Sequence, residues 1–367
     1  MGARTLPHRA AEFLTARAGQ VAERRATIGL DGFVDQIIAV VDKRPSAEKF
    51  TRVPTIAAFG QRISAAAGHS ANIELVVERT KLGGNGPIMA NALAAAGVRV
   101  TYIGNLGYPS VHAAFHDFSQ RATVHSLAEP GYTDALEFDD GKLMLGKHAA
   151  LRDVTWKNLL DHVGREKLLT AFTQADLVGL QNWTMLPFMS DIWQHVLDEF
   201  CPALPAGPRR QFFFDLADPE KRDPNDIRHA VETVAKFQRY FDTHLGLNES
   251  ESFQIANVLG YAGGKEAPTV AGFIWERLKI GAVVVHPRAY AVAASAAGVV
   301  KVAGPFVERP LISTGAGDHF NAGFCLGKLL GADNEVALQL GVGTSGYYVR
   351  TAKSPTPKEL AEFLKSL

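Results

Sequence analysis

The stretch Leu311-Ile-Ser-Thr-Gly-Ala-Gly-Asp-His-Phe-Asn-Ala-Gly-Phe324 decides the fold. It starts as the end of an extended run and becomes a helix, because Phe320, Phe324 and Leu326 to Leu330 recur at helical spacing. Gly315-Ala316-Gly317 falls where that helix begins. Small residues there let the backbone turn tightly and leave its N–H groups uncovered. The first N–H groups of a helix lack intrahelical partners, and the macrodipole adds positive potential. Such a turn suits an anion, most often phosphate. Asp318 is a poor neighbour for an anion that is merely bound. It makes sense as a base taking a proton from an attacking hydroxyl. Taken alone, the stretch also fits an ordinary glycine-rich helix start with Asp in its first turn.

Outward from this stretch, the second half of the chain alternates strands and helices. Apolar runs at Leu177 to Leu180, Gln211 to Phe214, His244 to Gly246 and Ala282 to Val285 read as buried strands. Helices are expected at about Ile192 to Glu199, Ile227 to Tyr240, Glu251 to Val258 and Val270 to Leu278. A β-pair follows at Tyr290 to Ala294 and Val299 to Ala303. Helices near Gly317 to Leu330, Glu335 to Val349 and Pro357 to Ser366 close the chain. This rhythm predicts an α/β fold, a doubly wound, mostly parallel sheet flanked by helices.

The first half reads differently. A helix over Ala10 to Arg25 leads to a strand at Ala26 to Leu30, a turn at Asp31-Gly32 and a strand at Phe33 to Val41. A polar segment from Lys43 to Gly68 holds a short helix. Ser70 to Leu82 alternates Ile73, Leu75 and Val77 against Asn72, Glu74 and Glu78, a strand with one apolar face. A helix after Gly83-Gly84 runs through Ala96, before a strand at Val98 to Ile103. Asp134 to Leu145 reads as a hairpin turning at Asp140-Gly141. These antiparallel-looking strands form a small β-sheet lid over one end of the main sheet. The expected division is a helical extension at residues 1–25 and one domain at 26–367, with lid segments at about 33–82 and 130–146. The apolar face of the lid needs a cover, either the main domain or a second copy in a homodimer. The polar face would look down on the acceptor, with Gly83-Gly84 as hinge.

Composition narrows the function. With 367 residues, 47% hydrophobic and 21% charged, the chain can bury a sizeable core. Its formal net charge of +0 and lack of a basic run argue against a nucleic-acid partner. Cys201 and Cys325 give neither a disulfide framework nor a zinc pattern. The start of the chain lacks the apolar core of a signal peptide, and no run approaches a membrane span, so a cytoplasmic protein is expected. No G-x-x-x-x-G-K-[ST] occurs, which excludes a P-loop. Gly341-Val-Gly-Thr-Ser-Gly346 fits G-x-G-x-x-G but lies inside a helical segment, where a packing surface explains it. His112 and His116 lack a third metal ligand.

Two motifs taken together carry a resemblance. Lys81-Leu-Gly-Gly-Asn-Gly-Pro-Ile-Met-Ala-Asn91 is a glycine pair feeding a helix, and Gly315 to Phe324 lies far downstream. The pair resembles the ribokinase-like (PfkB) carbohydrate kinase family, over most of the chain from about Ala26. The late motif matches at Gly315, Ala316, Gly317, Asp318, Phe320, Ala322, Gly323 and Phe324. Asn248-Glu-Ser-Glu251 resembles the family's N-x-x-E element, which supports its magnesium and phosphate network. Phe213-Phe-Asp-Leu-Ala-Asp-Pro219 resembles its strand ending in Asp before a proline turn. Asp35 stands where an Asp holds sugar hydroxyls.

The resemblance implies phosphoryl transfer from ATP to a hydroxyl of a sugar or sugar-like substrate. Asp318 would be the base and Gly315, Ala316 and Gly317 the anion hole. Asp35, Gly83, Gly84 and Asn85 would orient the acceptor. Asn248 and Glu251 would position Mg²⁺ through water. The family's Asp-Thr before the late motif is Ile312-Ser313 here, its Asn is Ile88, and its T-x-G-x-x-G stretch is His286-Pro-Arg-Ala-Tyr290. The Gly83-Gly84-Asn85 beginning is also similar to ADP-dependent sugar kinases. The alternatives are therefore ADP as donor, or a sugar- or nucleotide-binding regulator without catalysis.

Overall fold

The structure, a computed structural model, describes residues 5–367. The first four residues of the expected helical extension lie outside the described residues.

The main sheet is nine-stranded, in the order β14-β13-β12-β11-β10-β9-β1-β5-β6. Its strands are β1 (Arg25–Leu30), β5 (Arg99–Gly104), β6 (Thr123–Ser126), β9 (Leu177–Gln181), β10 (Gln211–Asp215), β11 (Asp242–Leu247), β12 (Ala282–Val285), β13 (Tyr290–Ser295) and β14 (Gly298–Ala303). From β6 to β12 all neighbours are parallel, and β13 and β14 add an antiparallel edge. The small sheet is five-stranded: β2 (Phe33–Lys43), β3 (Thr51–Arg52), β4 (Leu75–Gly83), β7 (Gly131–Phe138) and β8 (Gly141–Lys147). The helices are α1 (Leu6–Arg17), α2 (Ile56–Ala65), α3 (Asn85–Ala95), α4 (His116–Ser119), α5 (Trp156–His162), α6 (Arg165–Gln174), α7 (Met189–His195), α8 (Pro224–Phe237), α9 (Glu249–Val258), α10 (Ala267–Leu278), α11 (Ala316–Leu329), α12 (Asn334–Thr351) and α13 (Pro357–Lys365).

The two faces of the main sheet carry two cores, because side chains alternate along each strand. Phe212 and Phe214 join Trp193 and Phe237 on one face, while Phe213 meets Phe324 of α11 on the other. Ala282 to Val285 is buried throughout, as a strand covered on both sides requires. Helices α11 and α12 pack closely through small residues. A Cβ on Gly323 would meet Leu340 O at 2.5 Å, and one on Gly341 would meet Phe320 at 2.8 Å. Gly341 to Gly346 is thus a packing surface within α12.

The structure differs from the sequence reading in several places. The first helix begins at Leu6, with Pro7 in its opening turn, and gives way at Ala18 to a 3₁₀ turn before β1. Ala10, Ala11 and Leu14 are buried, and α1 packs on α12 and α13, so this extension joins the main core. Edge strand β6, Thr123-Val-His-Ser126, has too little apolar content to be read from pattern. In the small sheet β2 pairs antiparallel with β4 but parallel with β7. Strand β4 starts at Leu75, and its Glu78 pairs with Arg52 at the surface, as Glu74 does with Arg44. The expected acceptor-facing row of Asn72, Glu74 and Glu78 is therefore absent, and β2 and the end of β4 supply the polar groups instead. Helix α2 covers much of the sheet's apolar side, where Phe59 packs with Ile38, Val40, Val53 and Leu136. Among the described residues no helix is long and apolar enough to cross a membrane.

Candidate active site

The chain leaves β1 towards β5 on one side and resumes with β9 on the other. Open α/β sheets bind ligands at such a switch point, beyond the carboxyl ends of the strands. Asp31 follows β1 and Asn182 follows β9. Asn182 Nδ2 donates to Asp31 Oδ2 at 2.8 Å. The N–H groups of Asn85 and Gly86, at the start of α3, donate to the same carboxylate at 3.0 and 2.9 Å. Burial pushes the Asp31 pKa up to about 6 despite these donors. The sequence reading took Asp31 for a turn residue and passed over Asn182. A lone polar residue after an apolar strand gives little signal until the strand order is known.

The glycine pair makes room for two carboxylates. A Cβ on Gly83 would meet Asp35 Oδ1 at 2.4 Å, and one on Gly84 would meet Asp31 Oδ2 at 2.8 Å. Gly84 also has φ +94, which side chains rarely adopt. Asp35 is buried and raised in pKa by desolvation, while Lys81, a Thr133 hydrogen bond and Lys142 oppose the rise. Asp35, Lys81 and Thr133 are register partners across β4, β2 and β7. Desolvation lowers the pKa of Lys81, and the charges of Asp35 and, more weakly, Asp318 oppose the fall.

Asp318 stands in the first turn of α11 and is buried. Asn85 Nδ2 donates to its Oδ1 at 3.0 Å. Burial, then the nearby charges of Asp215 and Asp31, hold its carboxyl well above the usual range. Gly315 caps the helix with φ +92. The N–H of Ala316 is turned back to Ser313 O at 3.2 Å, so it is partly engaged, whereas Gly317 and Asp318 lie in the turn that lacks intrahelical partners. His319 steadies the turn, with Nδ1 at 2.7 Å from Gly315 O and its ring stacked on Tyr348. Ile88 packs where a Cβ of Gly315 would sit, at 3.2 Å. Lys142, at the start of β8, donates to Ser313 Oγ at 3.3 Å and to Thr314 Oγ1.

Asn248 and Glu251 form a capping box at the start of α9. The Glu251 carboxylate accepts from the N–H of Asn248 at 2.8 Å and of Asp218 at 2.9 Å. It is buried, and desolvation raises its pKa. Asp215, at the end of β10, accepts from Asn321 Nδ2 at 2.8 Å; burial and then Glu251 push it up to about 8. Asp31, Asp215, Glu251 and Asp318 thus crowd four acidic groups into this end of the sheet, and burial favours their protonated forms unless positive charge is brought in. Asn248, His286, Phe306, Ala316, Gly317 and Val342 line a cavity of about 560 Å³ beside the turn. Burial holds His286 near a pKa of about 4, so it is neutral.

The sequence model of a family described as prokaryotic ketohexokinase matches residues 9–367. The chain belongs to the prokaryotic ketohexokinase family. This ketohexokinase-family chain is 30% identical over 344 residues to a ketohexokinase of Haloferax volcanii, covering 92% of the chain and 90% of that protein. Its fold is similar to Methanocaldococcus jannaschii nucleoside kinase, an archaeal member of the ribokinase family, at TM-score 0.61 and 14% identity, covering 94% and 99% of the two chains. It is also similar to Arabidopsis thaliana ribokinase, solved with ribose and ATP, at TM-score 0.60 and 14% identity, covering 93% and 98%. The ketohexokinase-family chain is therefore a ribokinase-like sugar kinase, an enzyme of phosphoryl transfer.

Proposed function

We propose that the protein transfers the γ-phosphoryl group of ATP to a hydroxyl of a ketohexose, with Asp318 as general base. The observation that carries this reading is a buried carboxylate at the first turn of α11, fixed by Asn85 and directly after the Gly315-Ala-Gly317 turn. A raised pKa suits a carboxylate that must accept a proton from an alcohol. As Asp318 takes the proton, the acceptor oxygen bonds to the γ-phosphorus. The bond to the leaving oxygen breaks, and ADP departs with its electron pair. The N–H groups of Gly317 and Asp318, with the dipole of α11, hold the charge on the transferred group.

Asp35 and Asn85 serve as acceptor ligands, and the glycine pair lets both carboxylates beside it approach. The neutral His286 and the apolar walls of the adjoining cavity take the nucleotide. The surplus of buried carboxylates fits a divalent cation, which Asn248 and Glu251 would hold through water, with Asp215 nearby. Bound Mg²⁺ supplies positive charge to the phosphate oxygens. The small sheet acts as a lid that excludes water, a competing acceptor.

A coupled assay with ATP or ADP against ketohexoses, aldohexoses, pentoses and nucleosides tests the reading. Turnover of a ketohexose with ATP is expected. No turnover of any ketohexose, or turnover with ADP alone, overturns it.

A further inference from the structure

Strands β1 and β5 open on Arg25-Ala-Thr27 and Arg99-Val-Thr101, and in the turn before β6 the same pattern recurs as Arg121-Ala-Thr123, with Thr123 opening the strand. Arg25 and Arg99 are register partners, and Thr27, Thr101 and Thr123 form the next row on the same face. Side chains two apart share a face of a sheet, so Arg25 and Arg99 border the row of threonines, and Arg121 lines the same cavity from the turn before β6. These residues and α6 line an open cavity of about 830 Å³. Small-molecule sites span about 300–1,000 Å³, so this one has room for a metabolite. The cavity lies at the amino ends of the strands, and Asp31 follows the carboxyl end of β1. Six residues of strand at about 3.3 Å each put it roughly 20 Å from the catalytic centre.

The charge here is one-sided. Arg25, Arg99, Arg121 and Lys167 line the cavity, and Glu166 is the one carboxylate among the lining residues. Arg25 donates to the neutral Gln174 at 2.8 Å, and Arg121, at the sheet edge, to the neutral Asn91 at 2.7 Å. Among the described residues none of these four cations has an ion-pair partner, while the adjacent Arg165 is paired with Glu199. Burial and Lys167 hold His125 below its usual range, which puts that ammonium over the same face. Thr27 is spent on Ala171 O, at 2.8 Å. Thr101 and Thr123 lie between the arginines and His125.

We infer that this face is a second ligand site, remote from catalysis, for a small molecule carrying phosphate. A guanidinium fork matches phosphate oxygens bidentately, and unpaired cations on a concave surface leave the complementary charge to the ligand. Threonine hydroxyls complete the donor set.

Isothermal titration of the full chain with inorganic pyrophosphate, fructose 1,6-bisphosphate and citrate tests this. Both phosphate probes should bind, citrate at least tenfold more weakly. The double variant R25Q/R99Q, and K167M alone, should each weaken the phosphate probes at least tenfold and leave the KM of sugar and nucleotide unchanged. Asp318→Asn should leave probe binding unchanged. Absence of binding, or binding undiminished in both sets of variants, overturns the site. Citrate binding as tightly as the phosphate probes overturns the assignment to phosphate.

Discussion

Asn85 and Asp318, 233 positions apart, are joined by a hydrogen bond from Nδ2 to Oδ1 at 3.0 Å. One heads α3 and the other stands in the first turn of α11. The bond ties the start of α3 to the first turn of α11. It donates to the ionised carboxylate, so it partly offsets the burial that raises the Asp318 pKa.

Asp318→Asn should fold as the wild type does and lose turnover by roughly 10²–10⁴-fold, the usual worth of general-base catalysis. Steady-state kinetics with saturating ATP and sugar measure this. Turnover within about threefold of wild type would leave Asp318 without the role of base.

Gly83→Ala should raise the KM for sugar while the KM for nucleotide stays put. A Cβ there comes within 2.4 Å of the Asp35 carboxylate, so one of the two must shift. Asp35 touches the acceptor in the proposed mechanism and lies away from the nucleotide cavity. An unchanged sugar KM would mean that Asp35 is no ligand. Gly84→Val combines crowding with a φ of +94 and should abolish activity.

Much of this site was legible in the chain. The Gly315 to Phe324 stretch is contiguous, so its turn, its helix and the place of the Asp318 carboxylate could be read together. Asp31, Asn182 and Asp215 were not given roles, because each is one polar residue at the end of a different strand. Only the order β10-β9-β1 makes them neighbours. The lid was legible as alternating strands but not in its pairing. Parallel partnership of β2 with β7 depends on a long connection that no local pattern encodes.

Lys142→Met should lower kcat/KM by roughly tenfold to a hundredfold, the scale of a charge-assisted hydrogen bond. Lys142 reaches from strand β8 of the small sheet to Ser313 and Thr314, just before the Gly315-Ala-Gly317 turn. In the proposed mechanism this contact would bring positive charge towards the transferred group. Kinetics equal to wild type would show that the contact merely ties the lid down.

The lid keeps apolar side chains uncovered at two of its edges: Leu75 and Val77 on β4, Met144 and Leu145 on β8, each about half exposed. Helix α2 already covers Ile38, Val40 and Leu136, so what remains is a rim. Exposed strand edges with apolar residues invite pairing with another chain. We expect a homodimer through the lids at micromolar concentration in sedimentation equilibrium, dissociated by Val77→Glu. A wild-type monomer would remove the dimer.

Asp215 links the site to stability. Burial and the neighbouring Glu251 raise its pKa from 3.8 to about 8. The folded protein therefore holds a proton there that the unfolded chain has released. Below pH 3.8 both states are protonated, and this group opposes folding not at all. As pH rises from there to about 8, the unfolded state is increasingly favoured, and above about 8 the folded state bears the full cost of a buried charge. Glu251 and Asp318 are raised as well, so they add to the same trend. Asp215→Asn keeps the size of the side chain; its oxygen can still accept from the N–H of Ala217, and its NH2 can donate to the Asn321 oxygen once that amide flips. Its melting temperature should exceed the wild-type value at pH 8.5, and the gap should shrink as pH is lowered to 5. Mg²⁺ with nucleotide should stabilise the wild type more than the variant, because it supplies the positive charge that the carboxylates lack. Differential scanning calorimetry across that range decides the matter. A variant less stable than wild type at every pH would show that the hydrogen bonds of Asp215 outweigh its charge.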